Sequence, residues 1–69
     1  PVASTYRDAA FRHETAWWEG ENLDPETGYS HLDHAIASLM ILRDIEARGN
    51  MSDDRPSTDQ EEQGHGYSI

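Results

Sequence analysis

The sequence predicts an all-α fold, an antiparallel αα-hairpin with helices over about 5–19 and 30–48. Three observations carry that prediction. Two stretches repeat apolar side chains at offsets of three and four, a glycine stands just past each, and Asp24-Pro25-Glu26-Thr27-Gly28 separates them.

In the first stretch Tyr6, Ala9, Ala10, His13 and Trp17 trace one helical stripe, which Phe11 and Trp18 widen. Thr5 and Asp8 fit a capping box at its start, and Gly20 supplies the stop. Pro25 fixes φ and lacks an N–H donor, while Gly28 supplies an unusual backbone angle, so the connection from Gly20 to Tyr29 is a defined turn. Ser30 and Asp33 form a second capping box. Leu32, Ala35, Ile36, Leu39 and Met40 carry the next apolar face, broadened by Ile41, Leu42 and Ile45 and ended at Gly49. Two helices cannot cover each other's broad apolar faces. The hairpin is therefore expected to complete a helical bundle, by dimerising or with sequence absent from this chain.

Composition sets the outer limits. The 69 residues have no cysteine and a formal charge of −9, with 14 acidic residues against five arginines. A chain this short is at most one domain and cannot be a disulfide scaffold. No apolar run reaches the ~20 residues of a membrane span, and the charge opposes binding to a nucleic-acid backbone. Residues 1–49 hold 21 of the 24 apolar residues, so 1–49 is the expected hairpin domain and 50–69 an acidic tail, extended or disordered.

His31 and His34 stand three apart in the first turn of the second helix, and His13 lies on the inward stripe of the first. In an antiparallel hairpin all three approach the connecting loop, which adds Glu19, Glu21, Asp24 and Glu26. Imidazole with carboxylate suits Zn, Mn, Fe or Ni, and carboxylate with water suits Mg or Mn. The N-terminus of the second helix beside them favours a phosphate. Taken singly, each residue has an ordinary reading: a hydrogen-bonded core histidine at 13, a capping-turn residue at 31, solvated loop acids at 21 and 26. Their convergence at one end of the hairpin points to a site.

The stretch RHETAWWEGENLDPETGYSHLDHA, Arg12 to Ala35, resembles the R-H-x3-A-W-W-x-G-E-x-x-D-P-E-T-G-x-S-H-L-x-H-A block of the phage-associated dATP/dGTP diphosphohydrolase family, related in activity to the all-α MazG-like nucleotide pyrophosphohydrolases. The likeness continues to Ser52-Asp53-Asp54-Arg55-Pro56. It implies a helical, metal-dependent enzyme that splits a deoxynucleoside triphosphate into monophosphate and pyrophosphate, acting in the cytoplasm, the host's if phage-encoded. Carried over residue by residue, His13, Glu21, Asp24, Glu26, His31 and His34 fall on motif positions. His13, Asp24, His31 and His34 are then the candidate metal ligands, for Mg or Mn first and Zn or another transition metal next. Glu21 and Glu26 are candidate catalytic bases, and Arg12 and Arg55, with Arg7, candidate phosphate clamps. Family members carry a lysine- and tyrosine-rich segment upstream of this block, so the chain is expected to be such an enzyme or the C-terminal helical part of one. A second reading is a small acidic phage interaction or inhibitor protein acting as a hairpin dimer. A third is a structural metal tying the hairpin ends together.

Overall fold

The computed structural model describes residues 1–58, and the expected tail beyond Thr58 lies outside the described residues. Two helices make up the fold, α1 (Ala3–Trp18) and α2 (His31–Ala47), packed as an antiparallel hairpin with no strand among the described residues. The all-α hairpin expected from the sequence is the fold observed.

Both helices stop where glycine was expected to stop them. The Gly20 N–H donates to the Trp17 carbonyl and the Glu21 N–H to Ala16, with Gly20 at φ 109°. At the end of α2 the Gly49 N–H donates to Glu46 and Asn50 to Ile45. This pairing satisfies carbonyls that the end of a helix leaves without partners, and it needs a left-handed residue that glycine supplies without a Cβ clash. The start of α2 is also as read: the Ser30 hydroxyl oxygen accepts from the Leu32 N–H at 3.0 Å.

The start of α1 corrects the sequence expectation. The helix begins at Ala3, Thr5 lies inside it, and no side chain of its own N-cap, Val2, caps it. Residues after α2 take over instead. The Ala3 N–H donates to the Ser52 carbonyl at 3.0 Å, and the Ser4 N–H donates to Asp54 Oδ1 at 2.9 Å. The Ser52 N–H in turn reaches the Pro1 carbonyl at 2.7 Å, closing a parallel bridge between Val2 and Ser52. A partner 50 residues away leaves no signal in local spacing, and it lets the helix start three residues, most of a turn, earlier than a Thr5 cap allows.

The seam between the helices is narrow. Its buried apolar residues are Ala3, Ala10, Ala35 and Ile45, and among the described residues no large side chain is fully enclosed. Small side chains let the backbones approach closely but remove little apolar area from water. The loop end is held differently. Leu23 and Ser30 form an antiparallel bridge, and the His31 N–H donates to the Asn22 carbonyl at 3.0 Å, so the connection is stitched to the first turn of α2.

Candidate metal centre

Two local structures bring the site together. The glycine-terminated end of α1 turns the chain so that Glu21 faces the start of α2. The Asp24-Pro25-Glu26-Thr27-Gly28 turn is built around Asp24, whose carbonyl accepts from the Gly28 N–H at 2.7 Å and whose Oδ1 accepts from the Glu26 N–H at 2.9 Å. An aspartate that closes its own turn through one carboxylate oxygen holds the other in a set direction. Here that other oxygen, Oδ2, lies 3.5 Å from His34 Nε2.

At the centre, His13 of α1 and His31 of α2 meet through their Nδ1 atoms at 2.9 Å. His31 is only 5% exposed, and its Nε2 lies 2.7 Å from Glu21 Oε1. An ionised carboxylate only accepts, so Nε2 of His31 carries the proton and its Nδ1 presents a lone pair toward His13. Without a cation, the His13 Nδ1–H fills that lone pair. A cation would be held by His13 and His31, with Glu21 the outer carboxylate that fixes the tautomer of His31. One ligating atom each from His13, Asp24 and His31 lies within 4.8 Å of the others, a spacing a single divalent ion can span. The donors present therefore fit a divalent metal.

His34 borders this group. Its ring stacks on His13 with centroids 4.5 Å apart, and its Nε2 is 2.7 Å from the Thr27 hydroxyl. Thr27 also accepts from the Tyr29 N–H at 3.2 Å, and the Tyr29 ring meets His34 edge-on. Thr27 is a residue the sequence reading passed over. Its place inside the turn was visible, but its pairing with a helix residue seven positions on depends on the turn's shape.

Electrostatics favour neutral imidazole. The His13 pKa is lowered from its ordinary value, first by loss of solvent around the ring, then by His34 and His31, and slightly by Arg12, against a raising effect of Asp24. A neutral ring is the form that ligates metal.

The remaining candidates divide by position. Arg12 precedes His13 on α1 and is exposed. The Glu26 side chain is exposed at the tip of the turn and joins no side-chain hydrogen bond among the described residues. Arg55 is not part of this end. It pairs with Asp53 through Nη2–Oδ2 at 2.7 Å and lines a groove with Ala3, Ser4 and Arg7. Ser4 is nine residues from His13, on the order of 13 Å along a helix.

A family model, dATP/dGTP diphosphohydrolase, N-terminal, matches residues 1–55, and the chain belongs to that family. The matching model describes the N-terminal part of that family. No curated protein and no solved structure matches the chain. Among the described residues no helix is long and apolar enough to cross a membrane.

Proposed function

We propose that this member of the dATP/dGTP diphosphohydrolase N-terminal family takes part in metal-dependent hydrolysis of a purine deoxynucleoside triphosphate to monophosphate and pyrophosphate. The observation that carries the reading is the convergence of His13, Asp24 and His31 inside the stretch the family model matches. His13, Asp24 and His31 would hold the divalent ion, with Mg or Mn the first candidates and Zn suited to the imidazoles. When bound, the ion polarises a phosphate oxygen and lowers the pKa of an attacking water.

The chain's own residues supply the rest. Glu21 is engaged by His31 and acts as a positioning residue, since its carboxylate sets which nitrogen of that ring carries the proton. Glu26, exposed and without a side-chain partner among the described residues, is the better candidate to take the proton from water. Water then attacks the α-phosphorus, the bond from that phosphorus to the bridging oxygen breaks, and pyrophosphate leaves. Arg12, exposed and next to His13, would clamp the triphosphate at this end, and cytoplasmic nucleotide pools are where such a substrate is found. The test is pyrophosphate release from each of the four deoxynucleoside triphosphates with Mg, Mn or EDTA, and with His31→Ala as control. Folded protein that releases no pyrophosphate with either metal overturns the enzyme reading.

One observation favours a second reading. His31 is buried in the seam between the two helices, where an ion that bridges His13 to His31 also ties the helices together. A structural ion raises the melting temperature without turnover.

A further inference from the structure

One side of the hairpin forms a continuous surface. Arg7, Phe11, Glu14 and Trp18 follow three- and four-residue spacings along α1, and Leu32, Leu39 and Glu46 sit seven apart along α2, so each set lies on one helix face. At the loop end Trp18, 80% exposed, stands out as a ridge over a shallow recess that it lines with Phe11, Trp17 and Leu32. At the open end the surface is a groove of about 610 Å³ whose apolar floor includes Ala3, Leu39, Leu42 and Met51.

We propose that a second copy of this chain docks on this surface in antiparallel fashion, about a twofold axis near Phe11, so that the Trp18 ridge of each copy seats in the groove of the other. Three arguments select this occupant. The three aromatics leave on the order of 350 Å² of apolar surface in water, and Leu32 and Leu39 raise that to roughly 500 Å². A standard interface buries about 800 Å² per partner, some 60% of it apolar, so this surface supplies what one stable dimer needs. The two halves are also unlike: the outstanding Trp18 side chain at one end and the larger groove at the other. A twofold axis between them pairs ridge with groove twice, while parallel stacking sets ridge on ridge.

Charge decides the orientation. The groove is rimmed by Arg7, Arg43 and Arg55 against Asp8, Glu46 and Asp54, which sum to zero in a chain of net charge −9. Among the described residues Glu19, Glu21, Asp24 and Glu26 gather at the loop end, and the further acids Asp59, Glu61 and Glu62 lie outside them. Antiparallel docking keeps the two acidic ends at opposite extremes of the dimer, whereas parallel docking brings them together.

The experiment uses the full 69-residue chain in EDTA without nucleotide, so its outcome is independent of any hydrolysis. Sedimentation equilibrium is expected to give a dimer, with a melting temperature that rises with protein concentration. Trp18→Glu is expected to weaken self-association by roughly 30-fold or more, as for a central aromatic anchor. Ile41→Ser, two residues from Leu39 and so off this face, is expected to leave it unchanged. Because the chain lacks cysteine, single-cysteine variants report the orientation. Oxidation of mixed Glu14→Cys and Arg43→Cys proteins should give the mixed disulfide in preference to either like-with-like product. A folded monomer with concentration-independent melting overturns the proposal, and so does a chain that stays unfolded at every concentration. A dimer joined mainly through two Glu14→Cys residues overturns the antiparallel arrangement.

Discussion

The two ends of the hairpin are closed by different chemistry. At the open end, backbone does the work: Val2 bridges Ser52, and Asp54 caps the Ser4 N–H. At the loop end, a backbone bridge between Leu23 and Ser30 is joined by three imidazoles and two carboxylates in mutual contact. Both arrangements hold the same two helices together. Both ends hold carboxylates, but among the described residues only the second holds imidazoles, so that end is the one to respond in mild acid or to a metal. The open end needs nothing beyond closure, and an exposed aspartate with backbone carbonyls is enough for that.

The sharpest way to break the comparison is His31→Ala. Removing this buried ring strips Glu21 and His13 of a partner at once, and a loss of about 2–3 kcal/mol in stability is expected, read by urea unfolding. Binding of Mn or Zn, followed by calorimetry, should fall below detection in the same variant. If affinity survives, the ion does not sit between His13 and His31.

Glu21 comes next. Glu21→Ala is expected to lower metal affinity roughly 10–100-fold through the loss of its hold on His31, although it ligates nothing itself. Glu21→Gln can still accept from the His31 Nε2–H, so it should recover most of that affinity. Equal losses in both variants would instead assign Glu21 a direct role for its charge.

The pH response distinguishes the ends further. Because the folded-state pKa of His13 lies below the ordinary 6.5, the unfolded chain binds more protons between the two values. The stability contribution is complete above pH 6.5 and is lost as pH falls from there through the folded value. Melting temperature should therefore decline in mild acid, and His13→Gln should flatten that decline. Asp53, held at about 2 by the Arg55 side chain and backbone N–H, has the opposite partner but the same sign: its contribution is present above its usual 3.8 and disappears only as pH falls toward 2. The loop end thus weakens first on acidification.

Asp54→Ala is the smallest effect. It removes an exposed cap, so a slight fall in melting temperature is expected with no change in metal affinity. A drop in affinity would show that the two ends are coupled through α1.

Legibility followed the range of the interaction. Gly20, Gly49 and Ser30 act within a few residues of themselves, and each ends or starts a helix where the sequence indicated. The approach of His13 to His31 could be anticipated because a short connection forces neighbouring ends together. The division of labour among the site residues could not. Glu21 and Glu26 look equivalent in the sequence, yet one is spent on His31 and the other stands exposed. Likewise Arg55 resembles a phosphate clamp on paper but lies with Asp53 at the other end.

Taken alone, then, the sequence determined the number of helices, their stops, the turn between them and the family, because these depend on local backbone preference and on residue order. Only the tertiary structure decided where α1 begins, which nitrogen of His31 faces His13, and which acids serve closure rather than the site. Each of those depends on atoms that folding brings together from 10 to 50 residues apart, and the backbone angles of the turn set their distances.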